Sequence, residues 1–251
     1  MERNILFTIA YCGTNYHGWQ IQNNARTVQE VFQEALTKIV GHCPDLKGCS
    51  RTDAGVHARQ FCISMHIDTR IPNERLVAAM NHFLPPDIAV LSCRDVPEDL
   101  HARYTCLGKE YSYEIWNHPV RDPFLEGRAL HYYGPLDVEQ LNAAAQYYVG
   151  SHDFHSFCTL DAREEGDLTR TVKYARVHRR EDGMVIFTVA ADGFLYNMVR
   201  IMMGTLLAVA QGKIAPEDIP GILEAKNRAA AGPTAPACGL YLNKVFYPDG
   251  I

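Results

Sequence analysis

From Phe61 to Ile67 the chain alternates strictly: Phe61, Ile63, Met65 and Ile67 face one way, Cys62, Ser64 and His66 the other. Successive strand side chains point to opposite sides of a sheet, so this pattern demands an extended strand with one apolar face buried. Its neighbours set that strand in a definite order of elements. Ile5 to Tyr11, β-branched and aromatic, reads as a strand. Thr27 and Glu30 form a capping box ahead of Val28, Val31, Phe32, Ala35, Leu36 and Ile39, which recur at helical spacing, and Gly41 stands where a C-cap belongs. A short strand is expected near Leu46 to Cys49, and the polar segment Ser50 to Ala58 as a loop. Asn73 is expected to cap a second helix carrying Leu76, Val77, Met80 and Phe83, stopped by Pro85-Pro86. Ile88 to Cys93 reads as a closing strand.

The second half gives the same order. Lys109 to Trp116 is a strand with Tyr111, Tyr113 and Ile115 on one face. Asp137 and Gln140 cap a helix through Val149, ended by Gly150. Thr169 to Arg179 and Met184 to Ala191 form a hairpin around Asp182-Gly183. Leu195 to Gln211 is a helix and Leu240 to Phe246 a last strand. Each half thus approximates the split βαβ arrangement, a repeat of element order without visible sequence repeat. The expectation is an α+β fold of two related split-βαβ (ferredoxin-like) halves, 1–107 and 108–251. Their mainly antiparallel sheets are expected to join, with helices packed on one side and a ligand cleft between the halves.

Composition narrows the class further. Of 251 residues, 47% are hydrophobic and 21% charged, which excludes disordered, collagenous and coiled-coil chains. The net charge of −5 argues against bulk electrostatic binding of nucleic acid, so any such binding needs a local basic surface, for which Arg51, Arg59, Arg103 and Arg200 are candidates. The eight cysteines make no C-x-x-C pair, as expected of reduced thiols in the cytoplasm. The N-terminus reads as neither signal nor transit peptide. The longest apolar run, Ile201 to Ala210, is about half a membrane span, which points to a soluble protein.

The stretch richest in chemistry is Ser50-Arg51-Thr52-Asp53-Ala54-Gly55-Val56-His57-Ala58. Asp53 sits beside an alcohol and a small Ala-Gly turn that lets another molecule approach, and Arg51 can hold its carboxylate ionised. Such a carboxylate suits attack on an electron-poor carbon; the plain alternative is an Asx-turn closed by Asp53 itself. Tyr111 and Tyr113 offer either a ring for stacking on a nucleobase or two core aromatics. Arg200, in an otherwise apolar helix, needs a partner such as a carboxylate unless it lies on the solvated face. His152, Asp153 and His155 are a weak metal signal beside their capping roles.

The loop Arg51 to Ala58 resembles the signature of the TruA family of tRNA pseudouridine synthases. Other blocks of that family stand in order: Tyr11-Cys12-Gly13-Thr14-Asn15-Tyr16-His17-Gly18-Trp19-Gln20, Thr27-Val28-Gln29, Leu84-Pro85-Pro86-Asp87-Ile88 and His101-Ala102-Arg103. Lys109-Glu110-Tyr111-Ser112-Tyr113, His152-Asp153-Phe154, Phe194 to Arg200 and Cys238-Gly239-Leu240-Tyr241-Leu242 follow, so the resemblance spans the chain. The chain departs from the pattern at Cys12, where Asp is usual, and at Ser50, Arg59 and Leu100.

The resemblance implies isomerisation of uridine at positions 38, 39 and 40 of the tRNA anticodon stem-loop, with no metal or organic cofactor, by a homodimer whose tRNA crosses both subunits. It assigns catalysis to Asp53, stacking on the target base to Tyr111, pairing with the aspartate to Arg200, and contact with the RNA around the flipped nucleotide to Arg51. The ionised Asp can serve by attack on C1′ or by removal of a sugar proton. A tRNA-binding or RNA-folding protein on the same scaffold is the alternative, and a metal-dependent hydrolase using His152, Asp153 and His155 a third.

Overall fold

Glu2–Tyr11 (β1) lies between two antiparallel neighbours, His57–Asp68 (β3) and Ile88–Asp95 (β4), and Lys47–Gly48 (β2) pairs with the other side of β3. The computed structural model describes residues 2–42, 44–159 and 166–250; Cys43 lies outside them. Val28–Val40 (α1) begins with the expected reciprocal cap, the Glu30 N–H donating to Thr27 Oγ1 and the Thr27 N–H to Glu30 Oε2, and ends at Gly41 with φ of +79°. Its Phe32 meets Phe7 of β1 edge to face at 5.5 Å, a geometry worth about 1 kcal/mol beyond burial. Asn73–Phe83 (α2) packs against β4. Here the expected cap is corrected: Pro72 takes the capping position, while the Asn73 amide donates to Asp95 Oδ2.

The alternating strand is buried on both faces over Phe61 to Met65. Residues 97–102 cover the second face: the Ser64 hydroxyl accepts from the Ala102 N–H, and the buried Asn4 amide donates to the carbonyls of Pro97, Glu98 and Leu100. Small or polar side chains on that face serve a covering segment that needs hydrogen-bond partners.

Residues 1–107 form one compact unit and 108–240 another, and residues 241–251 belong with the first. The division at 107 into two continuous halves therefore differs at its end. Leu240–Phe246 (β10) runs parallel to β3, with Tyr241 opposite His57 and Leu242 opposite Ala58. The Leu107 N–H donates to the Phe246 carbonyl and the Tyr247 hydroxyl to that of Ala102.

In the second unit, Gly108–Trp116 (β5), Met184–Ala191 (β9), Thr169–Arg179 (β8) and Gly150–Asp153 (β7) pair antiparallel in that order, and Leu130–His131 (β6) joins β5 in parallel. β6 and β7 are too short and polar to carry a period-two signal. Val138–Gln146 (α3) stops before the expected Val149, and Asp137 caps it by accepting from the Gln140 N–H. Met198–Ala210 (α4) begins three residues later than expected because Asn197 adopts the left-handed region at φ of +62°. Ile219–Glu224 (α5) follows. The fold is α+β with mostly antiparallel pairing, and no helix among the described residues is long and apolar enough to cross a membrane.

Candidate functional site

The loop bearing Asp53 joins β2 to β3, and backbone hydrogen bonds define its turn. The Asp53 carbonyl accepts from the Val56 N–H, and Gly55 at φ of +78° supplies the left-handed third residue that a type II turn requires. This turn is closed through the main chain of Asp53. Asp53 is half-buried, Ala54 and Arg51 are exposed, and Val56 is buried.

The segment Tyr11 to Trp19 clasps that loop from the side. The Trp19 N–H donates to the Thr52 carbonyl, the Gly55 N–H to the Tyr16 carbonyl, and the Tyr11 and Thr52 hydroxyls bond to each other at 2.8 Å. Gly18, at φ of +81°, brings the two chains so close that a Cβ there would stand 2.2 Å from the Thr52 carbonyl oxygen. The Trp19 ring packs on Phe61 of β3 at 4.4 Å. Asp87 steadies the clasp from outside, accepting from the Tyr16 hydroxyl at 2.6 Å and from the Asn15 amide, while its carbonyl accepts from the Cys12 N–H. Burial and the Asp87 carboxylate push the Tyr16 phenol far up, so it stays a neutral donor. Cys12 thus joins the clasp through its main chain, and its thiol lies 3.3 Å from the Thr14 hydroxyl.

Two further members join this arrangement: His57, to which the sequence assigned no role of its own, and Arg59, expected only as part of a basic surface. His57 opens β3 buried, its Nδ1 accepting from the Gly13 N–H at 3.0 Å and its ring stacked on Tyr241 of β10 at 4.5 Å. Arg59 lies 4.2 Å over the same tyrosine ring and donates to Asn243. His57 stands inside the Arg51 to Ala58 block and Arg59 directly after it.

The other predicted residues lie in the second unit, on regular elements. Tyr111 on β5 is 6% exposed, opposite Val189 in the register and edge-on to Phe194 at 5.1 Å. Tyr113, two residues on, is fully buried and donates its hydroxyl to the Pro236 carbonyl, a core role. Arg200, in the first turn of α4, is half-buried. Its Nε donates to the Ala235 carbonyl at 2.7 Å and its Nη1 to Asn197 Oδ1 at 2.8 Å, and Asn197 in turn donates to Thr159. These bonds aim the guanidinium from both sides.

His152, Asp153 and His155 do not converge. His152 Nε2 bonds the Val149 carbonyl, while the Asp153 carboxylate pairs with Lys226 at 2.9 Å and accepts from the His155 N–H. Lys226 and that N–H hold the Asp153 carboxyl below the usual range. No group of three or more His, Cys, Asp or Glu side chains suited to a metal comes together among the described residues.

Residues 8–105 and 144–248 match the pattern of the family described as tRNA pseudouridine synthase. A Ruminiclostridium cellulolyticum protein named tRNA pseudouridine synthase A is 44% identical over 245 residues, covering 98% of this chain and 100% of its own length. Proteins of the same name from Thermoanaerobacter sp. and Acetivibrio thermocellus are 43% and 44% identical over 98% of this chain and 100% of theirs. The matched segments contain every residue of the Asp53 loop and its clasp, together with Arg200. The chain belongs to the tRNA pseudouridine synthase family, isomerases that convert uridine to pseudouridine in tRNA.

Proposed function

We propose that the chain acts on the anticodon stem-loop of tRNA, isomerising uridines 38, 39 and 40, with Asp53 as the catalytic group. The observation that supports this reading is the Asp53 loop, whose turn closes from the Val56 N–H onto the Asp53 carbonyl and which the Tyr11 to Trp19 segment clasps at close range. The reaction is redox-neutral. The N1–C1′ bond breaks, the uracil turns, C5 bonds to C1′, C5 releases its hydrogen as a proton and N1 takes one up. Each step asks for a group this chain supplies. Asp53 serves the sugar, by attack on C1′ or by removing a sugar proton. Tyr111 gives the detached base a stacking surface, worth about 1–3 kcal/mol. Arg200 and Arg51 supply positive charge toward the substrate, where contacts to phosphate carry most of the affinity. Flipping the target out of a stem costs a few kcal/mol, which these contacts must offset.

The same reading places the chain in the cytoplasm as a homodimer whose two copies share one tRNA; sedimentation at twice the 28.2 kDa chain mass is the check on the oligomer. The deciding experiment is tritium release from tRNA labelled at uridine C5, for the native protein and Asp53→Asn together. Native release with a loss of more than about three orders of magnitude in the variant is expected. Bound tRNA without release from the native protein would favour the RNA-binding or RNA-folding alternative.

A further inference from the structure

We infer that His57 is a positioning residue for the reaction, its Nδ1 acting as the acceptor that ties the Asp53 loop to the clasp. The inference rests on the reading of Asp53 as the catalytic group. His57 follows the turn directly, one residue after Val56, whose N–H closes onto the Asp53 carbonyl. Its imidazole is 1% exposed, so no solvent can substitute for its hydrogen bonds. The Gly13 N–H has its acceptor in His57 Nδ1 at 3.0 Å. Gly13 lies so close to the loop that a Cβ there would stand 2.0 Å from the Val56 carbonyl oxygen, so a shift of either chain is felt at once by the other.

An acceptor at Nδ1 requires the lone pair there and the proton on Nε2. The ring's plane is fixed independently by the stack on Tyr241, at 4.5 Å and 23°. Tyr241 itself is held by the pairing of β10 with β3 and by the Arg59 guanidinium at 4.2 Å. One imidazole therefore joins the loop, the clasp and the C-terminal strand. A displacement of about 1 Å in a reacting group is enough for a hundredfold loss of rate.

The test compares His57→Phe, which keeps a ring for the stack and removes the acceptor, with His57→Asn, whose Oδ1 falls near the Nδ1 position. His57→Phe is expected to lower kcat for tritium release by about ten- to a hundredfold with KM for tRNA within about threefold, and His57→Asn to recover most of that loss. A His57→Phe protein that folds and keeps kcat within twofold would overturn the inference, as would equal losses in both variants. Should His57→Phe fail to fold, ¹⁵N spectra of the native imidazole decide. A protonated Nδ1 refutes the inference, and an unprotonated Nδ1 with a protonated Nε2 sustains it. Asp53→Asn runs beside them. If that variant keeps its rate, the reading of Asp53 fails, whereas the imidazole spectrum and the His57 variants still report on the loop.

Discussion

The two units carry their predicted functional residues in opposite ways. In the first, Asp53 stands on a loop whose shape comes from backbone hydrogen bonds, a left-handed glycine and a neighbouring chain at van der Waals limits. In the second, Tyr111 and Arg200 ride on a strand and a helix, held by register and by packing against buried side chains. A side chain on a regular element inherits its direction from the whole core, whereas one on a loop depends on a few contacts. Single substitutions remote from the chemistry should therefore damage the first unit's contribution more than the second's.

The sharpest way to break this comparison is Gly18→Ala. Its methyl group would meet the Thr52 carbonyl and demand a left-handed backbone, so the loop must move. We expect kcat to fall by about a hundredfold or more, and a variant as active as the native protein would show that the clasp does not set the site. Tyr111→Ala comes next: losing the ring should lower kcat/KM by roughly ten- to a hundredfold, with Tyr111→Phe near native if stacking is the role. Arg200→Lys follows at about tenfold. Lysine has no fork to reach both the Ala235 carbonyl and Asn197, and the loss of one hydrogen bond, about 1 kcal/mol, should lower Tm by only a few degrees.

The smallest effect concerns alkaline stability at the base of the loop. Burial pushes the Cys62 thiol up to about 11, and its N–H donates to the Cys49 sulfur next to Ser50. The folded state favours the neutral thiol, so its contribution is intact below the ordinary thiol range and is lost as pH climbs toward about 11. Urea unfolding at rising pH should show this loss in the native protein and less of it in Cys62→Ala. Equal pH dependence in the two would remove Cys62 as its source.

Residue patterns were enough for much of the framework. Strands and helices announced themselves where residue types alternate or recur at helical spacing, as in β3, β8 and α1, and where a cap has its own chemistry, as at Thr27 and Asp137. The short strands β6 and β7 left no such trace, and the start of α4 was misplaced because the left-handed turn at Asn197 is a single-residue event. The ordered blocks from Tyr11 to Leu242 carried the family, since catalysis constrains residue identity more tightly than a fold does.

What sequence alone determined is thus the class of fold and the family; the short set of side chains it offers for the chemistry is a proposal. Tertiary structure alone decided that the last strand returns to the first unit, that Tyr113 belongs to the core while Tyr111 meets Phe194, and that His57 and Tyr241 meet. The reason is physical. Periodicity and capping act within a few residues of chain, whereas the parallel pairing of β10 with β3 and the bond from Gly13 to His57 join residues far apart in sequence. No local preference encodes such contacts; they form only when the folded chain brings a donor to an acceptor in a place water cannot reach.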